Sequence, residues 1–538
     1  MLPRTTAARP GAFRPSAALG NQTRHPFFWT RQSADIGGNC GITQHTRWSV
    51  TMRPTRRFSI MFALSAAISA CSPTAANFLE KEATALGTNS ALDQRLHMAL
   101  LDPPGVGLAF PGLLIGVEKS DQETIGGPAA LPAGTVPLYP EAAGYERHRY
   151  GPHPAEKLFT DRKSLFVSHI MEYAPHADGL FPTRARGCLK YSAYGNSDVQ
   201  TIARCPGSTP EGAPPRVGDA FMAGLKAIEE LKPALRARLA ESQTPYTHVL
   251  LYVMGWNTDQ QEAVRNFNSL VGQLAEAHHR DCGKAGSCPA LRPLVIGVSW
   301  PSLWNFPPPP FSYGNKASDA DELGLVTLNV LLHRVIKPLK AEFAATRPLN
   351  TVLIGHSFGA RALTRAAFSE PLLSPDGRPA PGRAVDLLLS LQGGFSVNRF
   401  LPEDSAENAP YADFKDTVGR IVMTASERDT ANPVAWWSDH SGGRSGWERA
   451  CGTPGRPAVF DCHRLEGDGV WPENASFAEG KVIYLDASNI VTYEVTGSGG
   501  GAHSDVYRLP MARLILKAIN TFAPGEPAPV RTVSQASP

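Results

Sequence analysis

The chain has 538 residues, 42% of them hydrophobic and 19% charged, so it is ordinary globular material with length for one large domain or two smaller ones. Its net charge of +3 is small and its Lys and Arg residues are scattered, so we expect no nucleic-acid partner. Its 49 Gly and 47 Pro residues favour long loops and argue against a repeat protein or a coiled coil.

An export signal is the first feature along the chain. Residues 53 to 71 have a cationic start, an apolar run from Phe58 to Ala70 and small residues before Cys71. The apolar run is shorter than the roughly 20 residues that a membrane-spanning helix needs. Its ending resembles the bacterial lipobox, in which the cysteine is acylated and becomes the mature N-terminus. This implies a lipid anchor at Cys71 and an exported protein of the cell envelope, either periplasmic or a membrane-anchored lipoprotein; the alternative is a short buried helix.

About fifty residues precede this signal, and Asp35 is the only acid among them. Because such a signal begins at the N-terminus, we expect Met52 to be the true start. Residues 1–51 are then a non-native or disordered extension, and residues 52–70 are the signal. A genuine upstream extension, such as a transit-type peptide, is the alternative.

Six cysteines remain once Cys40 and Cys71 are set aside, and they are near neighbours in pairs. Proximity predicts three local disulfides in an oxidising compartment, although other connectivities are open. A metal site is the weaker interpretation because the sequence has no paired CxxC and its His278-His279 pair is isolated. The predicted pairs are Cys188 with Cys205, Cys282 with Cys288, and Cys451 with Cys462.

Residues 71–242 carry mixed signals. Short apolar runs at Gly112 to Val117 and Leu165 to Ile170 predict strands, and Asp219 to Leu239 has helical periodicity. Gly/Pro-rich loops separate these elements. We interpret this part as an N-terminal elaboration that could supply the first strands of a sheet.

Residues 243–523 alternate strand-like and helix-like apolar runs, which predicts a mostly parallel central sheet flanked by helices, an α/β fold. Helices are predicted near Ala263 to Leu274, at Leu323 to Phe343 and at Leu509 to Ile519. Residues 524–538 are expected to be a loose tail. The predicted strands are His248 to Met254, Pro293 to Ser299, Asn350 to Gly355, Ala384 to Leu391, Gly419 to Ala425 and Lys481 to Asp486.

The proline-rich segment Trp304 to Ser318 is too stiff to continue either element, which predicts a rim or lid over a site. Its aromatic side chains would line an apolar pocket or only pack the lid. They are Trp304, Phe306, Phe311 and Tyr313.

A GxSxG motif lies between a predicted strand and a run of helix formers. A nucleophilic serine must sit on a strained turn between strand and helix, and glycines on both sides remove clashing side chains. Ser357 is therefore the candidate nucleophile, in an elbow completed by Gly355, His356 and Gly359. The alternative is a serine that only caps the helix.

A serine hydroxyl needs a histidine to take its proton, and the histidine needs a carboxylate to orient it. Asp429 follows a predicted strand and is the candidate acid; Glu427 and Asp439 are the alternatives, and Asp429 could instead only cap a loop or pair with Arg428.

His503 follows a glycine-rich loop after the last strand and is the candidate base. We expect this flexible loop to let its imidazole reach Ser357, and His440 is its main rival. Phe358 would supply one backbone amide of an oxyanion hole, and Trp256 or Asn257 the other. The Trp256 loop could also only cap the next helix.

With these residues, the stretch from about Thr247 to Phe522 resembles the α/β-hydrolase superfamily, within it the esterase-like bacterial families. The segment Val298 to Ser302 is similar to a Ser-Trp-Pro-Ser element of those families, whereas Met254 stands where they often have a histidine. The resemblance implies that residues 243–523 form a catalytic domain that hydrolyses a small-molecule or lipid acyl substrate through an acyl-enzyme, with no metal or organic cofactor.

The leading hypothesis is therefore an anchored esterase or lipase. A second hypothesis keeps the acyl-enzyme mechanism but changes the acyl acceptor or the bond that is cleaved, giving an envelope acyltransferase, thioesterase or peptidase. A third is a non-catalytic anchored scaffold with the hydrolase fold, which would require a broken triad.

Overall fold

The computed structural model describes seventeen stretches of the chain, all of them after Val106. The extension, the signal with Cys71 and most of the tail therefore lie outside the described residues. The described residues are 107–119, 165–173, 187–193, 204–206, 217–241, 245–282, 288–303, 309–375, 378–401, 411, 414–429, 431, 440–452, 459–467, 471–472, 477–492 and 501–526.

Ten strands of the described part form one sheet. They are β1 Gly112–Lys119, β2 Leu165–Tyr173, β3 Gly187–Ser192, β4 His248–Val253, β5 Pro293–Ser299, β6 Asn350–His356, β7 Val385–Leu391, β8 Val418–Ala425, β9 Phe460–Arg464 and β10 Val482–Asp486. Their order is β3-β2-β1-β5-β4-β6-β7-β8-β10-β9. β2 runs antiparallel to β1 and β3, and every other neighbouring pair is parallel. This confirms the predicted α/β class, and the N-terminal part does contribute strands to the sheet.

The central strands were predictable because they are buried along their whole length. All six residues of β4 are buried, and β6 and β7 have one intermediate residue each. Parallel strands covered on both faces read as continuous apolar runs. The edge strands β3 and β9 each have one buried residue, so they carry no such run and were not predicted.

Helices cover the sheet, and in the described ranges none combines the length and apolar character needed to cross a bilayer. Two segments, Gly324–Leu328 and Leu331–Ile336, are π-helical, and Gly501–Tyr507 is a 3₁₀ segment. The helices are α1 Val217–Glu229, α2 Leu231–Glu241, α3 Gln260–Cys282, α4 Pro309–Leu323, α5 Lys337–Phe343, α6 Phe358–Ala367, α7 Phe414–Thr417, α8 Arg444–Cys451 and α9 Leu509–Phe522.

The expectation that residues 304 to 318 continue no helix was wrong from residue 309 onward. α4 begins at Pro309, and proline is tolerated in the first helical turn because the amides there have no intrahelical partner. α4 is also fixed by charge: Asp319 pairs with Lys119 of β1 and, at 3.1 Å, with Lys316.

A cluster of three guanidinium groups around Asp321 ties α4 to the helix after the elbow. Asp321 accepts hydrogen bonds from Arg361 and Arg365 of α6 and from Arg399. Burial opposes ionisation of Asp321, but the three arginines outweigh it and hold the pKa of its carboxyl far below the usual range. Ion pairs therefore hold α4 against α6.

Three disulfides have the pairing that proximity predicted. Their Cα atoms are 4.9, 5.3 and 6.0 Å apart, within the range of ordinary disulfides. Such bonds persist in oxidising compartments, which supports an exported environment. The bonds are Cys188–Cys205, Cys282–Cys288 and Cys451–Cys462.

Candidate active site

Ser357 has the backbone strain of a nucleophile elbow. It lies between β6 and α6 with φ 55° and ψ −122°, a conformation that non-glycine residues rarely adopt. Neighbouring loops hold it there: its amide donates to Leu391 O over 3.1 Å, and Gly394 N donates to its carbonyl over 3.0 Å. Its hydroxyl makes no capping hydrogen bond to α6, so the helix-cap alternative has no support.

The glycines of the motif are required by close backbone contacts. A Cβ atom on Gly355 would lie 2.4 Å from Ala360 Cα, and one on Gly359 would lie 2.0 Å from Val253 O. Neither distance is compatible with a side chain, because both neighbours are backbone atoms. The predicted reason for glycine at these positions is confirmed.

His503 and Asp429 form a buried pair. Nδ1 of His503 lies 2.8 Å from Oδ2 of Asp429, whose side chain is 0% exposed. The other oxygen of Asp429 accepts the amide of Ala431 over 3.0 Å. Because a carboxylate accepts, Nδ1 of His503 donates, and Nε2 is left as the proton acceptor.

Glu427, the first alternative acid, does not share this position. Glu427 is exposed, although it lies only two residues before Asp429. Asp439 lies outside the described residues. Arg428, proposed as an alternative partner for Asp429, is also exposed.

The pair contacts the elbow through His356. Nε2 of His356 donates to the carbonyl of His503 over 2.8 Å, and the two rings lie 4.5 Å apart between centroids. His356 directly precedes Ser357. Ser357, Asp429 and His503 thus follow β6, β8 and β10 in the chain. The side chains of Asp429 and His503 are bonded to each other, and the catalytic roles of the three residues stay predictions.

His440, the rival candidate base, contacts Tyr313. Its buried ring stacks on Tyr313 with centroids 5.5 Å apart, and its Nε2 shares a hydrogen bond with the Tyr313 hydroxyl. Asp429 pairs with His503 instead. The geometry therefore favours His503 as the oriented imidazole.

The loop after β4 lies against the elbow, as an oxyanion loop must. A Cβ atom on Gly255 would lie 2.9 Å from Ser357 Cβ. The amide of Asn257 donates to Ser302 O over 3.1 Å, which leaves the Trp256 amide as this loop's candidate donor. Phe358 is the first residue of α6, where amides have no intrahelical partner.

The sequence pointed to the Ser-Trp-Pro-Ser element without revealing its role, which is to hold the loop after β4, the candidate oxyanion loop. Trp300 Nε1 donates to Met254 O over 3.1 Å. The Ser302 hydroxyl accepts from Thr258 N over 3.0 Å and donates to Thr258 O over 2.9 Å. These bonds go to backbone atoms of the loop, so they do not depend on the side chain at position 254.

An aromatic wall covers the two candidate oxyanion residues. The ring of Tyr313 packs on Phe358 at 4.9 Å and on Trp256 at 5.7 Å between centroids. Of the four predicted lining residues, Tyr313 is thus placed at the site. The side chains of the other three, Trp304, Phe306 and Phe311, lie outside the described residues.

A metal ligand set occurs among the described residues only at Glu172, Cys188 and Cys205. Both cysteines are joined in a disulfide, so neither offers a thiolate. Glu172 also pairs with Lys190 over 2.9 Å. This group therefore fits no metal.

No protein-family model and no curated protein matches the sequence. Solved structures with a partial likeness include a Trichoderma reesei cutinase bound to a phosphonate inhibitor, with 15% identity, 38% of this chain and 75% of that chain covered, and a TM-score of 0.18. A lipase-esterase related protein from Clostridium acetobutylicum has 10% identity, 52% and 95% coverage, and a TM-score of 0.21. An uncharacterized protein from Pseudomonas aeruginosa has 13% identity, 56% and 50% coverage, and a TM-score of 0.23. Likeness this slight carries no argument about activity.

Proposed function

We propose that the protein is a serine hydrolase that cleaves acyl esters in the manner of an esterase or lipase. The observation that carries the proposal is the buried His503–Asp429 pair, held against the elbow in which Ser357 adopts its strained conformation. A buried carboxylate on one imidazole nitrogen leaves the other nitrogen to act as a base.

In the first half of the reaction, Ser357 Oγ attacks the acyl carbonyl carbon while Nε2 of His503 takes the hydroxyl proton. The amides of Trp256 and Phe358 donate to the resulting oxyanion. As the intermediate collapses, the carbon–oxygen bond to the alcohol breaks, and His503 returns the proton to the leaving alcohol. The acyl group is then esterified to Ser357.

In the second half, water attacks the acyl-enzyme while His503 again takes a proton. Collapse of this intermediate breaks the bond to Ser357 Oγ, which recovers the proton. The products are one carboxylic acid and one alcohol per ester and water consumed. Asp429 keeps its negative charge throughout and stabilises the imidazolium of His503.

Hydrolysis of p-nitrophenyl esters tests the proposal directly. We expect Ser357→Ala to abolish turnover while circular dichroism shows an intact fold. A fluorophosphonate probe should label the wild type and fail to label Ser357→Ala. The matched control is Ser318→Ala, an exposed serine on α4 whose hydroxyl bonds locally to Gly314 O. Undiminished turnover or labelling in Ser357→Ala would overturn the assignment of the nucleophile.

The same site could serve an acyltransferase, thioesterase or peptidase, because all proceed through an acyl-enzyme. Esters, thioesters and peptides offered with and without an acceptor alcohol separate these by their products. The scaffold alternative predicts no probe labelling at all. Labelling of the wild type would therefore exclude the scaffold alternative, and a lack of labelling would support it.

The proposal includes export and anchoring through a lipid at Cys71. The three disulfides support an oxidising compartment, which agrees with export. Metabolic labelling with a radioactive fatty acid should mark the wild type and spare Cys71→Ser. Equal labelling of the two proteins would rule out an anchor at this cysteine.

A further inference from the structure

His356 connects the candidate base to the elbow through both of its ring nitrogens. Its Nε2 atom lies 2.8 Å from the carbonyl oxygen of His503, and its Nδ1 atom lies 3.3 Å from the hydroxyl of Tyr507. The hydroxyl of Tyr252 in turn donates to that of Tyr507 over 3.2 Å. Three side chains thus form a hydrogen-bonded chain that ends on the backbone of His503.

The direction of these bonds fixes the tautomer of His356. A carbonyl oxygen only accepts, so Nε2 carries the proton, and Nδ1 of a neutral imidazole is then an acceptor. Tyr507 therefore donates to Nδ1, and its oxygen accepts from Tyr252. If His356 were protonated, its Nδ1–H would be a second donor facing the hydroxyl of Tyr507. Tyr507 could accept it only if the hydrogen bond between Tyr507 and Tyr252 reversed its direction.

The surroundings keep His356, Tyr507 and Tyr252 in this one protonation state. Burial, reinforced by the neighbouring His503, holds the pKa of His356 well below its usual value. Burial also raises the pKa of Tyr252 and of Tyr507 above that of an ordinary phenol. His356 is therefore neutral at the pH at which an ordinary histidine titrates.

The hydrogen-bonded side chains hold the 3₁₀ segment that carries His503 at two points. His503 and Tyr507 both belong to the 3₁₀ segment Gly501–Tyr507, which follows the glycine-rich stretch of the sequence. The ring of His356 contacts both, with centroids 4.5 Å from His503 and 5.7 Å from Tyr507. His356 is the last residue of β6, so it ties the segment to the central sheet.

We propose that His356 is a positioning residue for the base: its neutral imidazole, oriented by the Tyr507 hydroxyl, holds the imidazole of His503 in the position needed to reach Ser357. This rests on the proposed function, because positioning affects turnover only if His503 is the base. It also replaces the expectation of a swinging imidazole with one held in place by the hydrogen bond from His356 to the backbone of His503. A displacement of about 1 Å at a catalytic group lowers the rate on the order of 100-fold, so a modest loosening should be measurable.

Four variants of the full chain test the proposal. His356→Leu removes both hydrogen bonds, whereas His356→Gln keeps an amide donor that can reach the His503 carbonyl. Tyr507→Phe removes the hydroxyl that orients His356 and keeps the ring. Tyr252→Phe is the matched control, since it deletes a buried tyrosine hydroxyl and leaves the bond from Tyr507 to His356 intact.

We expect His356→Leu to lower kcat on the order of 10- to 100-fold with KM within about twofold. His356→Gln should restore most of that loss, Tyr507→Phe should show an intermediate loss, and Tyr252→Phe should stay close to the wild type. Circular dichroism and urea unfolding check that each variant folds. If His356→Leu fails to fold, Tyr507→Phe and His356→Gln still decide the question.

A second readout does not depend on turnover. The Nδ1 proton of His503, held by Asp429, should give a proton resonance well downfield of the amides, which Asp429→Asn removes and thereby identifies. Loosening the segment should broaden or shift this resonance in His356→Leu and Tyr507→Phe, but not in Tyr252→Phe. If the protein hydrolyses no ester, the proposed function fails, and the resonance still tests the positioning.

Two results would overturn the proposal. One is wild-type kcat in both His356→Leu and Tyr507→Phe. The other is an equal loss in His356→Leu and His356→Gln with an unchanged downfield resonance, which would assign His356 a packing role only.

Discussion

Asp429 and His503 lie 74 positions apart in the chain, yet their carboxylate and imidazole are joined by a 2.8 Å hydrogen bond that is almost closed to water. Two adjacent parallel strands, β8 and β10, bring them together. This bond decides which nitrogen of His503 is available as a base, and the first prediction concerns it.

Asp429→Asn should lower kcat on the order of 10⁴-fold with little change in KM, because an amide can donate to Nδ1 and favour the wrong tautomer of His503. Steady-state kinetics on a p-nitrophenyl ester measures this. Glu427→Gln is the matched control, since Glu427 is exposed and should leave kcat within about twofold. A larger loss in Glu427→Gln than in Asp429→Asn would exchange their roles.

The two candidate histidines should separate cleanly. His503→Gln removes the proposed base and should lower kcat on the order of 10⁴-fold or more. His440→Gln should cost far less, on the order of 10-fold, because His440 bonds to the hydroxyl of Tyr313 and is not the proposed base. A burst assay that counts acylated sites shows whether the first chemical step is lost. Normal acylation in His503→Gln would contradict the assignment.

Gly359→Ala should prevent stable folding or destroy activity, since its Cβ would lie 2.0 Å from the carbonyl oxygen of Val253. Gly272→Ala is the control within α3: a Cβ there meets nothing within 4 Å, and alanine should stabilise the helix by about 0.5–1 kcal/mol. Urea unfolding compares the two. Similar stability of the two variants would show that the elbow is less tightly packed than described.

Buried histidines should make stability depend on pH. Burial lowers the pKa of His169 and His248 to about 4, with nearby groups opposing it only in part. Below about pH 6.5 the unfolded chain therefore binds protons that the folded chain does not, so the free energy of unfolding falls as pH drops toward 4. The loss should reach roughly 3 kcal/mol per histidine near pH 4.

Urea titrations between pH 7.5 and 4.5 measure this slope. His248→Gln keeps a donor for the carbonyl of Ala523, which Nε2 of His248 contacts at 2.8 Å, and it should reduce the proton uptake on unfolding by about one. An unchanged slope in that variant would show that His248 titrates normally in the folded protein.

Asp321→Asn should destabilise the protein by about 3–5 kcal/mol, because it leaves Arg361, Arg365 and Arg399 without the carboxylate that joins them. Glu342→Gln is the control: its pair with Arg236 is over 40% exposed on both sides and should matter by less than about 1 kcal/mol. Equal unfolding midpoints for the two variants would argue against a structural role for the arginine cluster.

The sequence by itself determined the features that are local in the chain. Strands such as β4 and β6 contain continuous apolar runs because both of their faces are buried, and such a run is visible in consecutive residues. Gly355 of the elbow was predictable for the same reason, since a side chain there would meet Ala360 within one strand-turn-helix unit, whereas a side chain on Gly359 would meet Val253 of β4. Short edge strands such as β9 escaped because one buried residue makes no pattern.

Only the tertiary structure decided among alternatives that look alike in one dimension. Asp429 and Glu427 are two residues apart and equally acidic, but one is buried against an imidazole and the other faces water. His503 and His440 differ in the partners that folding gives them, and the amides of Trp256 and Asn257 in whether Ser302 occupies them. These choices depend on distances between strands that are remote in sequence, and no local pattern encodes a distance of that kind.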